Sequence, residues 1–228
     1  MKLESISKIS GTMRVLSGLL IGAGKDSVEI GGLDQPIIKH PISGAPYVPG
    51  SSIKGKMRSL LEIYYFSANL ATREALGRGK PCDCGKAACP ACRIFGSGAD
   101  PKKVEDDLGP TRLIVRDATL APLYAERFNK GELPMEVKYE NIIHRVKGVA
   151  EHPRPLERVP AGVEFSFSMS FKKFEGDQDD LLAYVYKGLR LIELDALGGC
   201  GSRGCGQVEF LDLRCDDQPV NLDDYPLK

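Results

Sequence analysis

Apolar and polar residues alternate without a break from Val163 to Phe171. Val163, Phe165, Phe167, Met169 and Phe171 fall on one side, and Glu164, Ser166, Ser168 and Ser170 on the other. That period of two predicts a strand half-buried against helices. A looser alternation from Ile6 to Leu16 puts Ile9, Met13 and Val15 on one face and predicts a second strand. Arg112–Ala118 and Gln207–Leu213 read as two more. Between them the period changes. Ile53, Met57, Leu60, Leu61 and Tyr64 recur at helical spacing, which predicts a helix from Ser52 to near Leu70 and a second helical piece up to Leu76. Leu182, Val185, Leu189, Ile192 and Ala196 mark another amphipathic helix, with Asp179 and Asp180 suited to its first turn. The order is strand, helix, strand, long excursion, strand, helix, strand. This is the split βαβ plan, an α+β fold with a ferredoxin-like (RRM-like) core.

Two stretches do not fit the repeat. One, about residues 78–108, carries Cys82-Asp-Cys-Gly-Lys-Ala-Ala-Cys-Pro-Ala-Cys92. Thiolates this close on a Gly/Pro knuckle can surround one tetrahedral zinc, with Cys82, Cys84, Cys89 and Cys92 as the ligands. Cys82 and Cys84 are closer than usual, so one of them could be spare and a histidine could complete the set. A redox pair is the alternative, but no strand-to-helix junction accompanies the C-x2-C. Four protein ligands leave no open coordination position, so the role expected of the zinc is structural. The other stretch, about residues 119–150, is rich in charge and poor in core residues, with turn signals at Gly131 and Pro134. The alternation of Met135-Glu-Val-Lys-Tyr139 suggests a protruding hairpin, against the alternative of a disordered surface loop.

At 228 residues the chain suits a single domain spanning residues 1–228. Formal net charge is zero, which excludes a globally basic nucleic-acid binder and leaves room for local basic surface. Lys138 to Arg158 holds five Lys/Arg against three Glu. No apolar run is long enough for a membrane span, and the first residues lack the apolar core of a secretion signal. Seven cysteines, four of them clustered, then point to metal in a cytoplasmic protein and not to a disulfide framework.

Candidate chemistry centres on residues 29–58. A Gly/Pro-punctuated loop carries one carboxylate, Asp34, after Gly31-Gly32. A helix start follows, with Ser51 and Ser52 as N-cap candidates and Lys54, Lys56 and Arg58 behind them. Unpaired N–H groups at a helix N-terminus suit a phosphate. A solvated basic face and a turn aspartate would account for the same residues. Gly198-Gly-Cys-Gly-Ser-Arg-Gly-Cys-Gly206, with Gly201, Ser202 and Arg203 at its centre, can fold into a nest of N–H groups for an anion or serve as a flexible connection. Cys200 and Cys205 read there as small packed residues.

Taken in order, several blocks carry a likeness: Ile30-Gly-Gly-Leu-Asp-Gln-Pro36, Pro46 to Arg58, Cys89-Pro-Ala-Cys-Arg-Ile-Phe-Gly96, Val137-Lys-Tyr-Glu-Asn141, Pro153 to Gly162, and Gly198–Gly206. Through them the chain resembles the major backbone subunits of type III-A (Csm) CRISPR interference complexes, within the RAMP superfamily. The resemblance implies copies stacked in a filament along a guide crRNA, bound beside other subunits of the complex. It implies a thumb hairpin, here around Ala121 to Asn141, wedged into the guide–target duplex, and Mg2+- or other divalent-dependent cleavage of the target RNA at regular intervals. The family's catalytic aspartate falls on Asp34 and its guide-binding cations on Lys54, Lys56 and Arg58. The sequence departs from the family pattern at Leu20, where a histidine is usual, and at Ile142, where a threonine is usual.

The physical logic agrees with that expectation. A subunit that holds a guide by its backbone needs cations and amide nests, while base pairing reads the sequence. A wedge that splays one nucleotide can align a 2′-OH with its own phosphate, and a carboxylate alongside could orient the hydroxyl, accept its proton or hold a divalent ion. The competing reading is a structural, RNA-coating subunit with cleavage elsewhere. A repeat-processing ribonuclease is a third, and would want a histidine near the RNA. His40 and His152 adjoin prolines, and His144 adjoins Arg145.

Overall fold

The computed structural model of the chain describes residues 2–23, 36–98, 100, 102 and 104–227. Its centre is an antiparallel sheet. Strand β1 (Leu3–Val15) lies between β7 (Glu164–Phe174) and β8 (Val208–Cys215). On the far side of β7 come β3 (Leu113–Val115) and β4 (Ala118–Leu120), then the short β2 (Tyr47–Val48); β9 (Gln218–Pro219) closes the other edge. With β3 and β4 taken together as the second strand, the order is last-first-third-second. That is the order expected of a ferredoxin-like core, and the mixed α/β fold is consistent with one. The expected strand at Arg112–Ala118 is two short strands. They hydrogen-bond to successive parts of β7, and Arg116 and Asp117 between them belong to neither strand, although the Arg116 N–H still donates to the Ser168 carbonyl.

The register explains the core. Ile9 faces Met169, Gly11 faces Phe167 and Met13 faces Phe165 across β1 and β7. All these side chains are buried, while Ser166, Ser168 and Ser170 lie on the opposite, open face. Helices α1 (Gly50–Tyr64) and α5 (Leu181–Leu194) cover the apolar face and pack on each other. Their approach is closest at Gly188, where a β-carbon would sit 2.4 Å from Met57 Cγ. Any side chain there would force the helices apart. α1 buries Ile53, Met57 and Leu61 as its spacing predicts, but Tyr64 points outward and Glu62 is buried. It ends at Tyr64, and α2 (Leu70–Gly77) follows after one 3-10 turn, so the long first helix expected to near Leu70 is shorter. Asn69 caps α2 by accepting from the Ala71 and Thr72 N–H groups.

The cysteine insertion is fastened to the core by buried ions. Arg112 is fully buried and donates through Nη2 and Nε to Asp177, at 2.7 and 2.9 Å. Arg93 of α3 (Pro90–Phe95) donates to the same carboxylate at 2.7 Å, and so does the Phe174 N–H at 2.9 Å. Arg112 also reaches the Leu108 carbonyl at 2.7 Å and stacks over the Phe174 ring. Burial alone would raise the Asp177 carboxyl; Arg112, then the Phe174 N–H and Arg93, hold it below the usual carboxylate range. Two segments meet here: the insertion before β3, and the turn after β7.

The second excursion is only partly the arm that the sequence suggested. It begins with a helix, α4 (Pro122–Asn129), with Pro122 in its first turn. A two-stranded hairpin follows, β5 (Glu136–Ile143) and β6 (Ala150–Arg158), outside the main sheet. β6 runs on to Arg158, beyond the boundary near residue 150. Pro153 and Pro155 lie inside it, which a two-stranded ribbon tolerates because each strand has a free edge. The register slips between Glu140 and Ile142, opposite His152 at φ 54°. No helix among the described residues is long and apolar enough to cross a membrane.

Candidate nucleic-acid interface and metal centre

The four clustered thiols converge. The Sγ atoms of Cys82, Cys84, Cys89 and Cys92 all lie within 4.8 Å of one another. Cys82–Cys89 and Cys84–Cys92 are each 3.7 Å apart, and Cys82–Cys92 is 4.0 Å. A tetrahedron of sulfurs bonded to zinc at about 2.3 Å has edges of about 3.8 Å, so the cluster has the dimensions of a four-thiolate site. Burial pushes the Cys84 thiol up to about 11, while donation from the other thiols, Cys89 first, draws Cys92 down to about 5. The knuckle is tied to α1: Cys82 N–H donates to buried Glu62 at 3.1 Å, and Arg58 pairs with Glu62 at 2.8 Å while also donating to the Cys82 carbonyl.

The helix start differs from its sequence reading. α1 begins at Gly50 after Pro49, and neither Ser51 nor Ser52 caps it. The Gly50 N–H donates to Asp117 Oδ1 at 2.7 Å, so a carboxylate from the β3–β4 corner serves the first turn. Sequence reasoning missed Asp117, which is 67 residues away. The three cations are not equivalent. Lys56 pairs with Asp195 at 2.8 Å, and Arg58 is committed to Glu62 and Cys82. Lys54 has no ion pair among the described residues. Burial, then the charge of Arg58, lowers its pKa. A phosphate alongside would offset the repulsion from Arg58.

The Gly198–Gly206 loop lies against residues 18–20. Gly199 N–H donates to the Leu20 carbonyl at 2.8 Å, and Gly206 N–H to the Gly18 carbonyl at 3.1 Å. Gly198 has φ +80°, and a β-carbon there would meet Leu20 O at 2.3 Å, so neither the conformation nor the space admits another residue. The loop is gripped by the hairpin. Arg203 pairs with Glu140 at 2.9 Å, and Lys138 donates to the Arg203 carbonyl at 3.0 Å. Cys205 is buried, as its packed reading expects, and takes a hydrogen bond from Arg158 at 3.2 Å; Cys200 is only partly buried, against Arg203.

Asp34 lies outside the described residues. The arms flanking it are in place: Ala23 N–H donates to the Pro36 carbonyl at 3.1 Å, and Ile38 N–H to the Ile21 carbonyl at 2.8 Å. The incoming arm thus carries Leu20, the residue that holds the C-terminal glycine loop.

The RAMP superfamily model matches residues 12–209. The chain belongs to the RAMP superfamily. It is 42% identical over 226 residues to a protein of Methanothermobacter thermautotrophicus named "CRISPR system Cms endoribonuclease Csm3", covering 93% of this chain and 86% of that one. A protein of the same name from Streptococcus thermophilus is 36% identical, with 95% and 92% covered. Among solved structures, Methanopyrus kandleri Csm3 superposes with TM-score 0.62 at 27% identity, over 90% of this chain and 75% of that one. A Csm3–Csm4 subcomplex of the type III-A CRISPR-Cas interference complex gives 0.58 at 28%, over 99% and 86%. Within the superfamily the chain is closely related to Csm3, the backbone subunit of the type III-A (Csm) complex.

For this RAMP chain, then, the four cysteines come together, and Lys54, Lys56 and Arg58 share α1 with Ser51 and Ser52. Gly201, Ser202 and Arg203 form one 3-10 turn against the hairpin. Sequence reasoning missed Glu157 and Arg158, both mostly buried at the hairpin root. The Pro153–Gly162 block that contributed to the resemblance contains both, and supplied the signal without a role.

Proposed function

We propose that this chain is a crRNA-binding backbone subunit of a type III-A effector that cleaves guide-complementary target RNA. One observation carries the reading: near-full-length identity of 35–42% to proteins named as Csm3 endoribonucleases. Guide phosphates would be held by Lys54 at the start of α1 and by the amides around Gly201–Arg203, with Lys56 and Arg58 contributing charge nearby. Copies of the chain would line the guide, beside the other subunits. The β5–β6 hairpin, with Ile142 and Ile143 exposed near its end, would be the thumb that parts the guide–target duplex. Asp34 would stand at the scissile phosphate. There it orients the 2′-OH or accepts its proton as that oxygen attacks phosphorus and the 5′ oxygen departs.

The metals divide by ligand chemistry. Among the described residues the four-cysteine cluster is the one group of three or more side chains placed to hold an ion. Its soft sulfurs suit zinc in a structural role, and magnesium takes oxygen ligands. A divalent ion for cleavage would be bound by Asp34 together with RNA phosphate oxygens, where it would stabilise developing negative charge.

The test is assembly with a guide RNA and assay of a complementary RNA with and without Mg2+. The reading expects products of fixed spacing that require the ion. A guide-loaded complex that pairs with its target and leaves it whole would favour the alternative, a non-catalytic RNA-coating subunit.

A further inference from the structure

Three consecutive residues at the root of the hairpin, Glu157, Arg158 and Val159, make contacts out of proportion to their number. Val159 exchanges backbone hydrogen bonds with Leu19, both at 2.9 Å, and so holds the arm entering residues 24–35. Glu157 holds the arm leaving them: its Oε2 accepts from the Ile37 N–H at 3.1 Å and its Oε1 from Lys39 Nζ at 2.6 Å. Arg158, between them, donates to Glu136 on β5 and to Cys205 in the C-terminal glycine loop. The Glu157 side chain is only 7% exposed, and Lys39 is 41% exposed. A surface ion pair contributes little stability. A buried carboxylate that accepts a backbone N–H fixes a backbone position, and each donor offsets part of its desolvation.

We infer that Glu157 is a positioning residue. By clamping Ile37 and Lys39 to the hairpin root, while Val159 clamps Leu19, it fixes the two arms that present Asp34 to the RNA. The inference rests on the proposed role of Asp34 in cleavage. It adds that the hairpin and the two arms are one mechanical unit, since Glu157 belongs to β6 and Val159 directly follows it. Glu157 touches no reacting atom in this account. Its removal should act on the rate of cleavage and not on RNA affinity, because a misplacement of about 1 Å can cost on the order of a hundredfold in rate.

The experiment uses the guide-loaded complex with Glu157→Gln, Lys39→Met and, as a control, Asp179→Asn, which removes only an exposed ion pair with Lys173. Glu157→Gln keeps an acceptor oxygen, and Lys39→Met leaves the buried carboxylate with its backbone partner, so folding should survive in both. Single-turnover cleavage, target affinity and hydrogen exchange at the Ile37 amide are measured side by side. Expected are cleavage slowed by on the order of tenfold or more in both clamp variants, unchanged affinity, faster Ile37 exchange, and wild-type behaviour of the control. Cleavage at the wild-type rate, or affinity falling in step with cleavage, overturns the positioning role. Asp34→Ala run in parallel separates the two failures. If it cuts normally, the reading of Asp34 falls and takes the positioning role with it. If it is inert while the clamp variants cut normally, the clamp alone is wrong.

Discussion

At the residue scale, partners decide what each cation is free to do. Lys54, Lys56 and Arg58 look alike in sequence, yet the fold gives Lys56 to Asp195 and Arg58 to Glu62 and the Cys82 carbonyl. Lys54→Ala should therefore weaken guide binding for all sequences alike and lower the salt slope by about 1. Lys56→Ala should do less. Arg58→Ala should act through the fold, since it leaves buried Glu62 with the Cys82 N–H but without its cation, at a cost of about 3–5 kcal/mol. Binding titrations across salt, with denaturation of each variant, check this; equal losses at Lys54 and Lys56 would sink the distinction. Asp177 gives a pH test. Its folded pKa lies below its unfolded one, so its contribution is present above the unfolded value and is lost as pH falls through the folded one. Asp177→Asn should be clearly less stable at neutral pH, and the gap should narrow below about pH 4. A gap that stays constant into acid would contradict it. Residue types and spacing made the cations and the thiols legible. Asp117, Asp177 and Asp195 were not, because their partners come from elements far apart in the chain.

At the scale of elements, period was the reliable guide. The strict alternation at Val163–Phe171 became the central strand β7, and the three-and-four spacing of Val185, Leu189 and Ile192 became the buried stripe of α5. Where period was weak, composition misled. The charge of Ala121–His152 hid α4, none of whose residues is buried, and only Met135 to Tyr139 read as strand there, so β6 was not anticipated. The cysteine knuckle sets Ala91, Ile94 and Phe95 into the main core and is also held by its thiols, by Arg58 and by the Asp177 cluster. Purified protein should carry about one zinc per chain, since a site of this kind supplies roughly 10 kcal/mol. Chelation should speed hydrogen exchange over residues 80–108 and leave β1 and β7 protected. Metal analysis that finds no zinc while the knuckle stays protected would refute a metal-built insertion.

At the scale of the whole molecule, the ferredoxin-like order follows from four strands and two helices that the sequence announces. What it does not announce is how three separate loops come to one place. Leu20 bonds the C-terminal glycine loop, Val159 bonds Leu19, and Glu157 bonds Ile37. Residues 18, 157 and 199 thus belong to one assembly at the root of the hairpin, and only long-range pairing puts them there. The resemblance named Asp34, but its surroundings could not be read from a lone loop aspartate. In the proposed function this assembly would hold RNA with one set of groups and cut it with another. The most direct measurement compares wild type and Asp34→Ala in the guide-loaded complex, following both target binding and target cleavage. Expected are unchanged guide and target affinity, wild-type products at fixed spacing, and no products from the variant. Cleavage by Asp34→Ala at the wild-type rate would contradict it and assign the chemistry to another residue or another subunit.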